Sequence, residues 1–237
     1  MGVGDGGAFR LINISGTSEE QKALWALVAE FHDVFSTELH SRPAAVPPLE
    51  FDVNYEEWHK PKNAGPARPT SAAGLEEQRL QVQKLLDAGV VSRVTTEHVK
   101  AYSQVLLVPK PDGSKRFCID FRSLDKCIGH LSWPLPNINH MIQRLGRHRP
   151  KYFATFDMTK GYWQLELHPA LRVVTAFITS FGLFYWNRIP MGLQPAASYF
   201  QYCIMVLILG NLAYQTCEAY IDDLIVHGKS FDEFFFS

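Results

Sequence analysis

Apolar positions follow a helical period early in the chain: Leu24, Leu27, Val28, Phe31 and Phe35 predict a helix from Thr17 to Phe35. Ser18 with Gln21 supplies a capping-box pattern at its start. Six prolines between Ser41 and Pro69 then exclude a continuing helix or a central strand, and predict an extended connector that wraps another surface. A second helix is expected from Ala73 to Ala88, with Glu76 and Glu77 near its positive end, Val82, Leu85 and Leu86 as its buried stripe, and Gly89 as its stop.

The pattern next turns to strands. Val105–Val108 reads as a buried strand, Pro111-Asp112-Gly113-Ser114 as a turn, and Arg116–Phe121 as the returning strand of a hairpin whose tip carries Lys110, Lys115 and Arg116. Ile138, Met141, Ile142 and Leu145 predict a third helix closed by Gly146. Tyr152–Phe156 reads as a central strand ending at Asp157, and the alternation of Trp163, Leu165 and Leu167 as a half-buried one. Pro195 opens a largely buried helix running to Gly210. Ala219–Ile221 and Leu224–Val226 flank Asp222-Asp223, a tight hairpin with two carboxylates at its tip.

Composition narrows the class without naming a function. The chain has 237 residues, 46% hydrophobic and 20% charged, enough for a packed core and too little charge for a disordered chain. The longest run of aliphatic, cysteine and methionine side chains, Cys203–Leu209, is far short of a membrane span, and Met1–Gly7 carries no signal-peptide pattern, so no membrane partner is expected. Four cysteines without C-x-x-C spacing argue against zinc and a disulfide framework and point to a reducing, cytoplasmic or nuclear location. With a net charge of −1, a polyanion would have to be held by local basic patches, such as Arg144, Arg147, Arg149 and Lys151, which read equally well as a solvated loop.

The candidate chemistry lies in the acids. Asp157 ends one apolar strand and Asp222-Asp223 sits between two others, a set of oxygen donors suited to a hard cation such as Mg²⁺. Taken alone, Asp-Asp in a hairpin is also ordinary turn composition.

The surrounding segments add a resemblance. Tyr220-Ile221-Asp222-Asp223 resembles the Y-x-D-D box of reverse transcriptases, and several other blocks are similar to the same enzyme of gypsy-type long-terminal-repeat retrotransposons. They are Val108–Ser114 and Cys118–Leu124 of the fingers hairpin, Trp133–Pro136 leading into the palm, Thr155–Gln164 of the first catalytic strand, Thr175–Phe177 with Phe181–Phe184, and Pro190–Leu193. The resemblance implies an α+β fold, a right-hand polymerase palm of antiparallel sheet backed by helices, with a fingers subdomain. The boundaries expected are 1–69 for the N-terminal helix and connector, 70–150 for fingers and lead into the palm, and 151–237 for the palm.

The resemblance further implies that Asp157, Asp222 and Asp223 are the catalytic aspartates, and that they and the Met158 carbonyl hold two Mg²⁺ ions, or Mn²⁺ in their place, about 4 Å apart. Lys110 and Arg116 match positions that contact the incoming deoxynucleoside triphosphate, Tyr162 the aromatic that excludes a ribose 2′-hydroxyl, and Met191 a position beside the nucleotide where the family tends to place an aromatic or Gln. The implied partners are an RNA or DNA template with its primer; the oligomeric state is left open. No thumb follows the Asp-Asp hairpin, and Phe234-Phe235-Phe236 has no evident partner surface, so the expectation is a truncated copy, with a catalytically dead, retroelement-derived nucleic-acid-binding or vestigial domain as the alternative.

Overall fold

A computed structural model of the chain describes residues 12–111, 113, 115–129 and 133–236. The expectations for Met1–Gly7, Asp112, Ser114 and Ser237 lie outside the described residues. The helices are α1 (Ser18–Glu30), α2 (Tyr55–Trp58), α3 (Ala72–Asp87), α4 (Arg122–Asp125), α5 (Ile138–His148), α6 (Gly161–Gln164), α7 (Gln194–Tyr202) and α8 (Phe231–Phe235). The strands are β1 (Val91–Val94), β2 (Ser103–Pro109), β3 (Lys115–Asp120), β4 (Tyr152–Asp157), β5 (Phe177–Thr179), β6 (Gly182–Trp186), β7 (Cys217–Tyr220) and β8 (Asp223–Gly228). Among the described residues no helix is long and apolar enough to cross a membrane.

The chain forms two compact units, each discontinuous in sequence. Among the described residues, one joins those up to Leu39 with Pro136–Lys160 and those from Ile204; the other joins those of His40–Leu135 with Gly161–Cys203.

The first unit is built on an antiparallel sheet of order β4-β8-β7. β4 is therefore an edge strand and not the central one its apolar sequence suggests. Alternation along each strand places Tyr152, Ala154 and Phe156 on one face with Val226 and Gly228. That face is covered by aromatics: Phe156 meets Phe35 at 6.5 Å, and the Tyr152 ring packs on Phe231 and Phe234 of α8 at 5.8 and 6.0 Å. The terminal phenylalanines thus do have a partner surface, with Phe234 buried and only Phe236 fully outside at 82% exposure. Gly228 permits this approach, since a Cβ there would lie 2.6 Å from the backbone nitrogen of Phe234. Burying Phe234 stabilises this packing by about 1.5–3 kcal/mol.

α1 begins at Ser18, one residue after the expected start. Thr17, not Ser18, is the cap: its hydroxyl accepts the Glu20 N–H at 3.3 Å while Glu20 Oε2 accepts the Thr17 N–H at 2.8 Å. The helix ends at Glu30 in turns, short of Phe35, because Phe31 and Val34 lie exposed with no core to bury them. Glu20 also accepts a bond from the Tyr152 hydroxyl at 2.8 Å, which ties α1 to β4. α5 runs past Gly146 to His148 and closes on Arg149 in the left-handed conformation (φ 49°). Its expected apolar stripe is buried only at Met141, with Ile138 and Ile142 at 53% and 60% exposure.

The second unit centres on a mixed sheet of order β1-β6-β5-β2-β3, parallel only where β2 meets β5. Its core stacks Phe177 on Phe184 at 5.5 Å and sets Trp186 against Phe177 at 5.9 Å. The proline-rich connector does pack against a surface, but with local structure: α2 and the turn at Pro61–Asn63 interrupt it, and Leu49 bridges to Leu167 while Val53 bridges to Ile128. Trp163–Leu167 is not a strand. Trp163 belongs to α6, and Leu165 and Leu167 are buried in irregular chain held by isolated bridges, which mimics strand alternation in burial. α7 stops at Tyr202, and Cys203–Ile208 continues as a wider π-helical turn whose Val206–Ile208 end is exposed, contrary to the single buried helix expected to Gly210.

Candidate active site

The strand register brings the acids together. Asp157, the last residue of β4, is the direct antiparallel partner of Asp223, the first residue of β8. Directly opposed residues project to the same face with Cβ atoms about 4.5–5.5 Å apart. Asp222 lies on the two-residue turn between β7 and β8, and its carbonyl accepts the Met158 N–H at 3.0 Å. The chain leaving β4 is therefore stitched to the hairpin turn, and Asp157, Met158, Asp222 and Asp223 form one locus within one unit. Asp223 stands on the strand itself, so only Asp222 sits on the turn.

The turn carries strain. Ile221 has φ 56°, a left-handed conformation that a β-branched residue rarely adopts, at a position where tight hairpins favour glycine. Such a residue costs on the order of 1–3 kcal/mol, and the ladder Tyr220–Asp223 and Ala219–Leu224 on either side holds it in place.

Among the described residues no group of three or more His, Cys, Asp or Glu side chains is arranged to hold a metal ion. The donor set that is present, two opposed carboxylates with an adjacent acid and main-chain carbonyls, still fits Mg²⁺, which takes few protein ligands and keeps the rest for water and phosphate oxygens.

The other predicted residues lie in the second unit. β2 and β3 pair from Gln104–Asp120 to Pro109–Lys115, and the Gly113 N–H closes the turn onto the Lys110 carbonyl at 3.0 Å. Lys110, Lys115 and Arg116 are all exposed at this end. Further along β3, the Arg122 guanidinium forks onto Asp120 at 2.7 Å through both Nε and an Nη while Arg68 adds a third bond at 3.1 Å. These bonds, Arg122 foremost, hold the Asp120 carboxyl down to about 2. Tyr162 on α6 is half-buried with its ring 5.2 Å from Phe200 of α7. Met191 is exposed and precedes Gly192, whose φ of 86° turns the chain towards α7.

Residues 108–234 match the family model described as "Reverse transcriptase (RNA-dependent DNA polymerase)", more than half of the chain. The chain belongs to the reverse transcriptase family. It is 32% identical over 214 residues to the retrovirus-related Pol polyprotein from transposon 412 of Drosophila melanogaster, covering 86% of this chain and 16% of that protein. It is 34% identical over 158 residues to the Pol polyprotein from transposon 297 of the same species, covering 65% and 14%. The enzymatic polyprotein of figwort mosaic virus matches at 29% identity over 63% of this chain and 22% of its own length. The chain thus spans roughly a sixth of the transposon relatives.

Among solved structures, the foamy viral protease–reverse transcriptase in complex with double-stranded DNA superposes with a TM-score of 0.71 at 21% identity, over 93% of this chain and 37% of that one. The same viral enzyme with RNA/DNA hybrid gives 0.69 at 21% identity, over 95% and 29%. The α+β palm architecture of the reverse transcriptase family is therefore the fold of this chain.

Within that fold the basic cluster divides; Arg144 and Arg147 stand on α5 itself, and Arg149 and Lys151 follow it. Arg147, Arg149 and Lys151 are exposed, but Arg144 forks onto Glu218 of β7 at 2.6 and 2.8 Å, with Glu218 only 1% exposed. Arg144 is thus tied up in an ion pair and does not stand free with the exposed cations. Sequence reasoning misses Glu218; a lone glutamate inside the apolar run Cys217–Tyr220 is the available signal. It misses Asp125 too. The Oδ1 of Asp125 accepts the Gln194 N–H at 3.0 Å and fixes the start of α7, and burial pushes its carboxyl up.

Proposed function

We propose that this chain carries the polymerase centre of an RNA-directed DNA polymerase, adding deoxynucleotides to a primer 3′-hydroxyl. The observation that carries the reading is the pairing of Asp157 with Asp223, with the Asp222 carbonyl bonded to the Met158 N–H. Asp157, Asp222 and Asp223, with the Met158 carbonyl, would hold Mg²⁺. Bound there, divalent ions supply charge neutralisation for the attacking and leaving oxygens of an in-line displacement.

The protein's own contribution is positioning and electrostatics. The β4–β8 register fixes two carboxylates side by side on rigid strands, so little reorganisation is left for the reaction itself. Lys110 and Arg116 offer a point charge and a planar fork, the two forms in which proteins recognise phosphate oxygens. Tyr162, its ring backed by Phe200, is suited to rejecting a ribose 2′-hydroxyl by bulk, and Met191 offers an apolar wall that neither stacks nor donates. A template–primer duplex as partner is supported by the foamy viral relatives solved with double-stranded DNA and with RNA/DNA hybrid.

The test is primer extension. Purified protein with Mg²⁺, poly(rA)·oligo(dT) and dTTP should lengthen the primer, and Asp222→Ala should abolish the extension without loss of fold by circular dichroism. No extension by the unmutated chain at any Mg²⁺ or Mn²⁺ concentration would overturn the reading.

A further inference from the structure

The face of the β4-β8-β7 sheet that bears the acids is also the face that meets α5. Asp157 and Asp223 are opposed at one end, and alternation puts Ile225 and His227 of β8 and Tyr220 and Glu218 of β7 on the same face. Glu218 lies opposite Ile225, two residues or about 7 Å along the strand before Tyr220, the last strand residue ahead of the hairpin turn. α5 meets this face with two side chains one helical turn apart. Arg144 forks onto Glu218, and the His148 ring lies 5.3 Å from that of His227. The Tyr214 ring packs against the Arg144 guanidinium at 4.7 Å. One helix therefore grips both strands of the acidic hairpin, one contact on β7 and one on β8.

Stability alone is a weak reason for such a pair. An ion pair with Glu218 at 1% exposure is costly to desolvate and adds little net stability over an apolar pair of similar volume. What a fork-on-carboxylate contact does supply is geometry, since two parallel bonds fix distance and rotation together. We propose that Arg144 and Glu218 are positioning residues for the catalytic hairpin: their bidentate pair sets the height of β7 on α5, and so the placement of Asp222 and Asp223 beside Asp157. The inference rests on the polymerase reading and deepens it.

The experiment compares the full chain with Arg144→Lys, Arg144→Met and the double variant Arg144→Met/Glu218→Leu. Three quantities are read: melting temperature, Mn²⁺ affinity by electron paramagnetic resonance in the absence of nucleotide, and the kcat, dTTP KM and Mg²⁺ half-activation concentration of primer extension. Arg144→Met should weaken Mn²⁺ binding and raise the Mg²⁺ requirement about tenfold and lower kcat about tenfold, with dTTP KM within about twofold. Arg144→Lys keeps the charge without the fork and should fall between. The double variant should regain the melting temperature, because no buried charge is left alone, but not the metal affinity or kcat.

A double variant that binds Mn²⁺ and turns over like the unmutated protein would overturn the proposal, by showing the pair to be structural only. Should Arg144→Met fail to fold, Arg144→Lys decides the matter: unchanged metal affinity and kcat in that variant overturn the proposal equally. If the unmutated chain binds Mn²⁺ but extends no primer, the polymerase reading fails separately, while a drop in Mn²⁺ affinity in the variants still supports the positioning role.

Discussion

Two hairpins carry most of the charged residues proposed for the polymerase centre, and they are built on opposite plans. The β7–β8 hairpin holds acids, and almost everything about their position is set by backbone: a two-residue turn, a register that opposes Asp223 to Asp157, and a bond from Met158 N–H to the Asp222 carbonyl. The β2–β3 hairpin holds cations, and its backbone fixes only where their stems begin; Lys110, Lys115 and Arg116 project into solvent from its end. In the proposed polymerase centre, carboxylates that share a cation would repel one another and have to be held close by the fold. Long cationic side chains proposed to meet a phosphate could complete their geometry when the ligand arrives. Rigid strands for the acids and exposed tips for the cations follow from that difference.

The comparison breaks most sharply at the acids. Asp157→Ala should reduce primer extension by about a thousandfold or more in a protein that still folds, measured by single-turnover kinetics. At the cationic hairpin Arg116→Lys keeps the charge and loses the fork, so the dTTP KM should rise about tenfold with kcat changed far less. A larger effect there than at Asp157 would reverse the contrast.

Packing behind the acidic hairpin gives the next effect. Gly228→Ala drives a methyl into the backbone of α8 and should destabilise the protein by about 1–3 kcal/mol in urea unfolding, with the fluorescence of the Tyr152 environment changed.

Acidity sharpens the same contrast. His227 is 3% exposed, and among the described residues its Nε2 has no hydrogen-bond partner. Burial, followed by the neighbouring His148, pushes its pKa below the ordinary 6.5, against the opposing pull of Glu218 and Glu233. A base with a depressed folded pKa binds its proton more readily when unfolded. Its contribution is therefore complete above about pH 6.5 and is lost as pH falls from there through the folded pKa. Unfolding free energy measured between about pH 7.5 and 5.5 should decline, and His227→Leu should flatten the decline over that window. The smallest effect concerns the turn: Ile221→Gly removes the left-handed strain and should raise stability by at most about 1 kcal/mol, read by thermal melting.

Which parts are legible in the sequence follows from the range of the forces involved. The capping and turn chemistry of the α3, β2–β3 and β7–β8 segments is local, and their expected boundaries lie within a few residues of those observed. Segments whose pattern depends on distant partners mislead. Leu165 and Leu167 alternate in burial like a strand, yet the chain there makes only isolated bridges, Glu166 to Arg188 and Leu167 to Leu49, and no ladder. The α5 stripe reads as a core face, yet Ile138 and Ile142 stay exposed while the polar Arg144 finds a buried partner 74 residues away.

The order of side chains along the chain determined that acids would stand at the ends of apolar segments, that cations would crown a hairpin, and which family those blocks belong to. Only the tertiary structure decided that Asp157 and Asp223 are direct neighbours, that β4 is an edge, that Phe234 closes over Gly228, and that Arg144 is held by Glu218. Propensity and turn chemistry act over a few residues and are written in the sequence. Register and ion pairing between remote segments depend on which surfaces meet, and that is settled by packing the chain as a whole.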